Sequence, residues 1–380
     1  MTTIPDEDGG ALRPPKHATI SDVARLAGVS RQTVSNVINT PSAVRDDTRA
    51  RVETAIDQLR YRPNASARRL RTRRSATIAI RAEEQTGGLS GIIYDRFLHA
   101  LTMEAGRRGR RILLFAAEDA DHEIQQYRSL SYGDDVDALV LTSTSHTDAR
   151  IDWLVDHEVP FVSFGRPWNR PMLDDPLVPW VDVDGAAGVR QATEHLLRTG
   201  CRRIAFVGWP SPSGTGDDRR SGWEAAMRNA GVAEAELRRL RAESPDDLAA
   251  ATAAVRGFLS NPGTTAADGF VCASDTLALG ALLATGRGLP VIGFDDTPVA
   301  ASQGLSSVAQ PLDRVARAIL DVIESLTATG GSHPEPVDDR SRHVLLAPEL
   351  IVREGTGHAA PSARGEEPAV GPAFSPGRSS

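Results

Sequence analysis

The spacing of apolar side chains divides the 380-residue chain into stretches of different character. Ile20, Val23, Ala24 and Ala27 fall at i, i+3, i+4 and i+7, one face of a short helix that Gly28-Val29 ends. Ser30 is a good N-cap for a second helix, in which Val34, Val37 and Ile38 point one way and Arg31, Gln32, Ser35 and Asn36 the other. After Pro41 the helical spacing returns in Val52, Ala55, Ile56 and Leu59, with Asp46 and Asp47 in the first turn, where a helix dipole favours anions. Three short helices with a tight Gly-containing turn predict a helix-turn-helix unit over 16–62. Pro63 breaks the third helix, and 63–74, ending in the basic run Arg71-Thr72-Arg73-Arg74, reads as a linker. From Thr77 short apolar runs alternate with amphipathic segments: TIAI (77–80), RILLFA (111–116), ALVLT (138–142), FVSF (161–164), RIAFVG (203–208), GFVCA (269–273) and PVIGF (290–294). That alternation predicts parallel sheets in α/β layers, and the length of 75–354 favours two lobes. The ends, 1–15 and 355–380, are rich in Gly, Pro and small polar residues and are expected to be disordered.

Charge sharpens this division. The net charge is −7, yet residues 16–74 carry +8 and 75–380 carry −13. A basic module joined to an acidic body points to nucleic acid at one end, because clustered cations neutralise phosphates while an acidic surface repels them. All but one of the 43 basic residues are arginine; the exception, Lys16, precedes the first helix. A phosphate-binding P-loop, a pyridoxal Schiff base and a protein kinase each need a lysine on the folded scaffold, so those enzyme classes are excluded. Cys201 and Cys272, 71 residues apart, form no CxxC, and the nine histidines give no HxxxH pair, so no metal and no cofactor is expected. No apolar run reaches membrane-spanning length and 1–15 lacks the features of a signal peptide, so the reading is cytoplasmic with no membrane partner.

Residues 19–39 (TISDVARLAGVSRQTVSNVIN), then Thr48 to Ala55 and Tyr61-Arg62-Pro63-Asn64-Ala65, closely resemble the headpiece of the LacI/GalR transcriptional regulators. The resemblance runs to about 354 through the βα pattern, Ala273 to Gly280, Gly293-Phe294-Asp295-Asp296 and Leu350 to Glu354. It implies an N-terminal all-α helix-turn-helix headpiece followed by an α/β, two-lobed, periplasmic-binding-protein-like effector domain, with an N-lobe of about 75–179 and 311–338 and a C-lobe of about 180–310 and 339–354. It also implies a homodimer on pseudo-palindromic, double-stranded operator DNA, with a small-molecule effector, expected to be a sugar, between the lobes.

Physically, the N-terminal side chains of a helix lying in the major groove reach base edges, and Arg pairs bidentately with guanine as Gln or Asn does with adenine. By resemblance, Arg31, Gln32 and Asn36 occupy base-reading positions, while Thr19, Ser30, Thr33 and Ser35 are candidates for phosphate contacts. Asn64 to Leu70 match a hinge helix that orders on DNA, with Ala67 the small residue where two hinges pack, Arg68 a phosphate contact and Leu70 a minor-groove wedge. In the body, Arg219 matches the effector-gripping arginine, Ser274 stands where many relatives carry Asn, Asp295 follows strand 290–294, and Gln310 falls at a lobe crossover. Phe164, Trp168, Trp209 and Phe294 are the aromatic candidates for a sugar face. The family often places Asp after strand 161–164; here Gly165-Arg166-Pro167-Trp168 follows, so Arg166 either replaces a carboxylate contact or points elsewhere. Ser213-Gly214-Thr215-Gly216 imitates a dinucleotide loop, but Arg219 stands in place of the third glycine. The leading expectation is a DNA-binding repressor controlled by its effector. A regulator with a nucleobase-like corepressor and a sugar receptor without DNA function are the alternatives, and an enzyme is not expected.

Overall fold

The computed structural model describes residues 18–61, 75–83, 91–133, 135–168, 170–261, 266–328 and 342–354. By internal contacts the chain divides at Ser75 into two compact units. The first unit holds helices α1 (Ile20–Ala27), α2 (Arg31–Asn39) and α3 (Asp46–Gln58). Thr19 caps α1 in a capping box with Asp22, Gly28 ends it in the left-handed region at φ 64°, and Ser30 caps α2 through the amide of Thr33. Val23, Ala24, Ala27, Val34, Val37, Val52 and Ala55 form its buried core, with Ile20, Ile38, Ile56 and Leu59 packed at the margin. The expected hinge residues Asn64, Ala67, Arg68 and Leu70, and the two ends expected to be disordered, lie outside the described residues.

The second unit contains two six-stranded sheets. The first is built from β1 (Thr77–Arg81), β2 (Arg111–Phe115), β3 (Ala138–Leu141), β4 (Phe161–Phe164), β5 (Trp180–Val183) and β11 (His343–Leu346), in the order β11-β5-β4-β3-β1-β2. The second uses β6 (Ile204–Gly208), β7 (Arg241–Glu243), β8 (Gly269–Cys272), β9 (Val291–Phe294), β10 (Ser306–Ala309) and β12 (Glu349–Ile351), in the order β12-β10-β9-β8-β6-β7. Every pairing is parallel except β10 with β12. The central runs are apolar on both sides because helices cover both sheet faces: Ile78 and Ile80 join one cluster, Ala79 and Leu139 another.

Helices fill the connections: α4 (Gly91–Arg107), α5 (Ala120–Tyr132), α6 (Ala149–Asp156), α7 (Arg170–Leu173), α8 (Gly185–Arg198), α9 (Gly214–Asn229), α10 (Glu234–Arg239), α11 (Leu248–Ser260), α12 (Asp275–Thr285), α13 (Pro298–Ser302) and α14 (Leu312–Ala328). The last buries Leu312, Val315, Ala316, Ile319, Leu320, Val322 and Ile323 at helical spacing against the first sheet. Each large member of that stripe contributes about 1.5–3 kcal/mol.

Two lobe boundaries differ from the expected ones. Strands β5 and β11 belong to the first lobe, not to the second as the divisions at 180 and 339 implied. Val181 pairs with Phe164 of β4, and Trp180 lies in register with His343, its ring stacked on the imidazole with centroids 5.3 Å apart. The first lobe therefore continues to Asp184, the N-cap of α8, and recovers 342–346 after α14.

Helices α8 and α9 approach so closely that a β-carbon on Gly222 would stand 2.0 Å from the carbonyl oxygen of Ala186. Gly222→Ala is therefore expected to cost at least the 1–3 kcal/mol typical of overpacking, whereas Gly257→Ala, on an exposed and unobstructed stretch of α11, gains up to about 1 kcal/mol from helix propensity. Thermal melts of the two variants check this; equal midpoints would refute the close-packing account.

Candidate DNA interface and ligand cleft

On the headpiece, Arg31 and Gln32 are exposed and Asn36 is half-buried on the same helix, one turn on from Gln32. The amide of Gln32 donates to Asn36 Oδ1 at 2.9 Å, so two amide side chains stand side by side with their orientations coupled. The N-termini of α1 and α2 present backbone amides together with the hydroxyls of Thr19, Ser30 and Thr33, the kind of surface that receives a phosphate. The Thr19 hydroxyl itself donates to Asp22 at 2.7 Å, and the Ser30 and Thr33 hydroxyls contact each other at 2.9 Å. Ser35 is half-buried on α2.

In the body, several polar side chains gather at the carboxyl ends of strands, where open α/β sheets bind ligands. Arg219, on the first half of α9, is buried and lies flat over Phe294, its guanidinium carbon 3.6 Å from the ring centroid and 5.5 Å from that of Trp209. One terminal nitrogen donates to the carbonyl of Ala273 and the other stands 3.7 Å from Asp295 Oδ1. Arg219 Nε is buried without a hydrogen-bond partner among the described residues, an orphan donor at the place where a ligand oxygen would be expected.

Asp295 directly follows β9 with φ 108° and is almost fully buried. Gln310, in the crossover after β10, donates to its Oδ1 at 2.7 Å. Burial pushes the Asp295 carboxyl up to about 7, against the attraction of Arg219 and with added repulsion from Asp275. Asp275, also pushed up by burial to about 6, is held by the Ser307 hydroxyl at 2.6 Å and the Thr297 amide at 2.7 Å. A third acid, Asp246, accepts from the hydroxyls of Ser274 and Thr276 and from the Trp209 indole at 3.3 Å.

Several expected contacts have other partners. Ser274 is fully buried; its hydroxyl caps α12 through Leu277 and donates to Asp246, so it orients a carboxylate and leaves nothing for a ligand. The Phe164 ring packs on Phe97 at 4.5 Å within the first-lobe core. Arg166 donates from Nε to Asp182 at 2.7 Å and from Nη2 to Asp218 of α9 at 2.8 Å. Trp168 lies against the first residue of α9, where a β-carbon on Gly214 would stand 2.3 Å from the indole, and one on Gly216 would stand 2.9 Å from Trp209. The paired glycines that imitate a dinucleotide loop therefore make room for two tryptophans. Gln310 also lines a cavity of about 640 Å³ between α4 and the start of α14, together with Arg96, His99, Arg314 and Arg317. Gln310 thus stands between the aspartate cluster and that open space. Asp246, Asp275, Asp182 and Asp218 were not among the expected contacts. The one signal for them was position: each lies in or just beyond a strand or beside Arg219.

With this geometry in view, the comparisons with known proteins are specific. Residues 19–64 match the model of bacterial regulatory proteins of the lacI family, and 89–326 that of periplasmic binding proteins and the sugar binding domain of the LacI family. The chain belongs to the LacI family. It is 33% identical over 350 residues to the HTH-type transcriptional regulator CelR of Thermobifida fusca, covering 89% of this chain and 98% of that one. A solved CelR–cellobiose complex superposes with a TM-score of 0.63 at 30% identity, over 89% of this chain and 99% of that chain. The lac repressor dimer bound to operator and an anti-inducer gives 0.70 at 23% identity over 90% and 99%, which establishes the shared fold. The protein is thus a LacI-family DNA-binding transcriptional regulator with a two-lobed effector domain. None of the described helices is long and apolar enough to cross a membrane.

The raised carboxyl of Asp295 predicts a pH effect. An unfolded Asp ionises near 4 while this one ionises near 7, so the folded state holds the extra proton between those values. Its stabilising contribution is complete below about pH 4 and is lost as pH rises through about 7. Asp295→Asn removes that titration while retaining an acceptor for Gln310, so the variant's melting temperature relative to wild type should rise by a few degrees between pH 5 and pH 8. Melts at both pH values measure it, and a constant difference would show an ordinary carboxylate.

Proposed function

We propose that this LacI-family regulator is a cytoplasmic homodimer that represses by binding pseudo-palindromic operator DNA, that an uncharged sugar between its lobes sets the DNA affinity, and that it catalyses no reaction. The observation that carries the effector reading is Arg219 lying on Phe294 beside Asp295 with Nε unpartnered. A guanidinium and a carboxylate side by side can receive the oxygen and the hydrogen of adjacent sugar hydroxyls, while Phe294, fully buried beneath Arg219, backs the guanidinium. The charge balance selects among sugars. Arg166 already faces two aspartates and Arg219 faces one, while Asp246 and Asp275 add negative charge. A phosphate or carboxylate set directly against Asp246 and Asp275 would be repelled. The complex of CelR with cellobiose makes that neutral disaccharide the first probe.

Side chains around Asp295 are engaged in holding one another rather than in poising a nucleophile, which supports binding over turnover. In the DNA reading, Arg31, Gln32 and Asn36 meet base edges, Thr19, Ser30, Thr33 and Ser35 lie at phosphates, and 63–74 supplies the hinge read from the sequence, beginning at Asn64, with Ala67 where two hinges pack, Arg68 at a phosphate and Leu70 as the minor-groove wedge. Sugar binding changes the lobe angle and is felt through that hinge. A coupling of about 1–3 kcal/mol would change operator affinity roughly 5- to 150-fold.

Two measurements test the proposal on the full chain. Differential scanning with cellobiose and with glucose 6-phosphate is expected to show stabilisation by the neutral sugar alone, about 2.7 kcal/mol at 100 times its dissociation constant. Stabilisation by the phosphorylated sugar instead would overturn the charge argument. Gel shifts on duplexes selected from a random pool should show operator affinity changing with cellobiose, and Arg31→Ala should relax preference at one base position by about 1–3 kcal/mol. An unaltered base preference in that variant would move the recognition face elsewhere on the headpiece.

A further inference from the structure

The loop after β4 bridges the two lobes at a point where the effector reading places no ligand contact. Gly165 turns the chain at φ 109°, the Thr144 hydroxyl donates to the Arg166 carbonyl at 2.8 Å, and Pro167 is buried, so the loop is fixed on the first lobe. From there Arg166 reaches Asp182 on its own lobe and Asp218 on α9 of the other, and all three side chains are about 15% exposed. Its guanidinium carbon lies 5.1 Å from the Trp168 ring centroid, and that ring occupies the space a β-carbon at Gly214 would need. Two neighbouring side chains of the first lobe therefore hold the first turn and a half of a second-lobe helix, one by charge and one by shape. Asp218 also accepts from the Ala186 amide at 3.1 Å, at the start of α8, immediately after the chain has crossed between lobes. The residue next to Asp218 is Arg219.

We propose that residues 165–168 form an interlobe clamp on α9, in which Arg166 is a positioning residue that sets where Arg219 stands and does not itself grip the effector. An arginine suits this task and a lysine would not, because its planar fork meets two carboxylates from two directions at once. With the clamp in place the lobes hold a defined angle, and the sugar acts on that angle. The arrangement also assigns Gly214: any β-carbon there would collide with the Trp168 ring, so only glycine leaves the ring in place.

The clamp itself is tested without any sugar, while the sugar arm rests on the proposed effector class. Full-length wild type, Arg166→Gln, Asp218→Asn and the double variant are compared by hydrogen exchange over peptides covering 165–168 and 214–220. Each single variant is expected to exchange at least about fivefold faster than wild type in both peptides, and the double variant no faster than the singles, because each substitution removes the same contact. Wild-type exchange rates in either single variant, or effects that multiply in the double, would overturn the clamp. Asp218→Asn preserves volume and an acceptor for Ala186, so it decides the question even if Arg166→Gln, which leaves two carboxylates facing each other, fails to fold. Cellobiose titration of the same four proteins supplies the second arm. The clamp predicts that both single variants weaken binding alike; if Asp218→Asn leaves or tightens binding while Arg166→Gln abolishes it, Arg166 is a ligand contact and the proposal is wrong. Should wild type ignore cellobiose altogether, the effector class falls while the exchange comparison still decides the clamp.

Discussion

A carboxylate held out of water at the end of a strand is the constraint around which the second lobe is organised. Taking Asp295 from solvent raises its proton affinity, and Arg219 by charge and Gln310 by a hydrogen bond answer that cost, while the turn at positive φ through Asp295 and Asp296 adds backbone strain that must be held in place. Each answer recruits a further element. Arg219 is held in place by Phe294 and the Ala273 carbonyl, so β8 and β9 must lie side by side. The turn is fixed by Asp275, whose carboxylate takes the Thr297 amide and stands so near Gly293 that a β-carbon there would be 2.3 Å away. A site arranged this way is less stable than an apolar one of the same volume, which is the expected mark of a binding function.

How far the sequence revealed this varies with the kind of information involved. The headpiece helices were legible because both their periodic apolar faces and their caps, Thr19, Gly28 and Ser30, are local signals. Seven strands, six of them largely buried and β2 at a sheet edge, were legible as short apolar runs. Strands β5, β7, β10, β11 and β12 were not, and for a physical reason. Ser306 and Ser307 lie buried in β10 with their hydroxyls engaged, by Arg353 and Asp275 respectively, so a central strand looks polar in sequence. The others are short, and β7, β11 and β12 lie at sheet edges, so charged residues such as Asp182, Arg241 and Glu349 blur the pattern. The lobe boundary was misplaced with them, since only pairing, not composition, assigns Trp180 and His343 to one sheet.

At the site, residue type was legible and partnership was not. A polar residue after an apolar run marks a strand end, which is why Asp295 stood out, while Gln310 was nominated by its place at a lobe crossover and Arg219 by the family resemblance; the last two prove to be joined through Asp295. The same rule nominated Ser274 and Arg166, whose hydrogen bonds are directed to protein groups instead. Their partners Asp246, Asp182 and Asp218 lie 28, 16 and 52 residues away in sequence, distances at which one chain without relatives carries no pairing signal.

Every crossing between the lobes lies beside this cluster, and that proximity decides how a small ligand can have a large effect. The chain passes at 184, at 310–311 and at 347–348. Asp184 caps α8 next to the amide that Asp218 accepts; Gln310 donates to Asp295; a β-carbon on Gly188 of α8 would stand 2.9 Å from Pro348 and 3.0 Å from Phe294. A ligand shifts an equilibrium only by the difference in its contacts with the two states. Here the groups that would meet a sugar also fix the backbone at the crossings, so a change of lobe angle necessarily changes those contacts. On the proposed reading, binding and hinge motion draw on the same side chains.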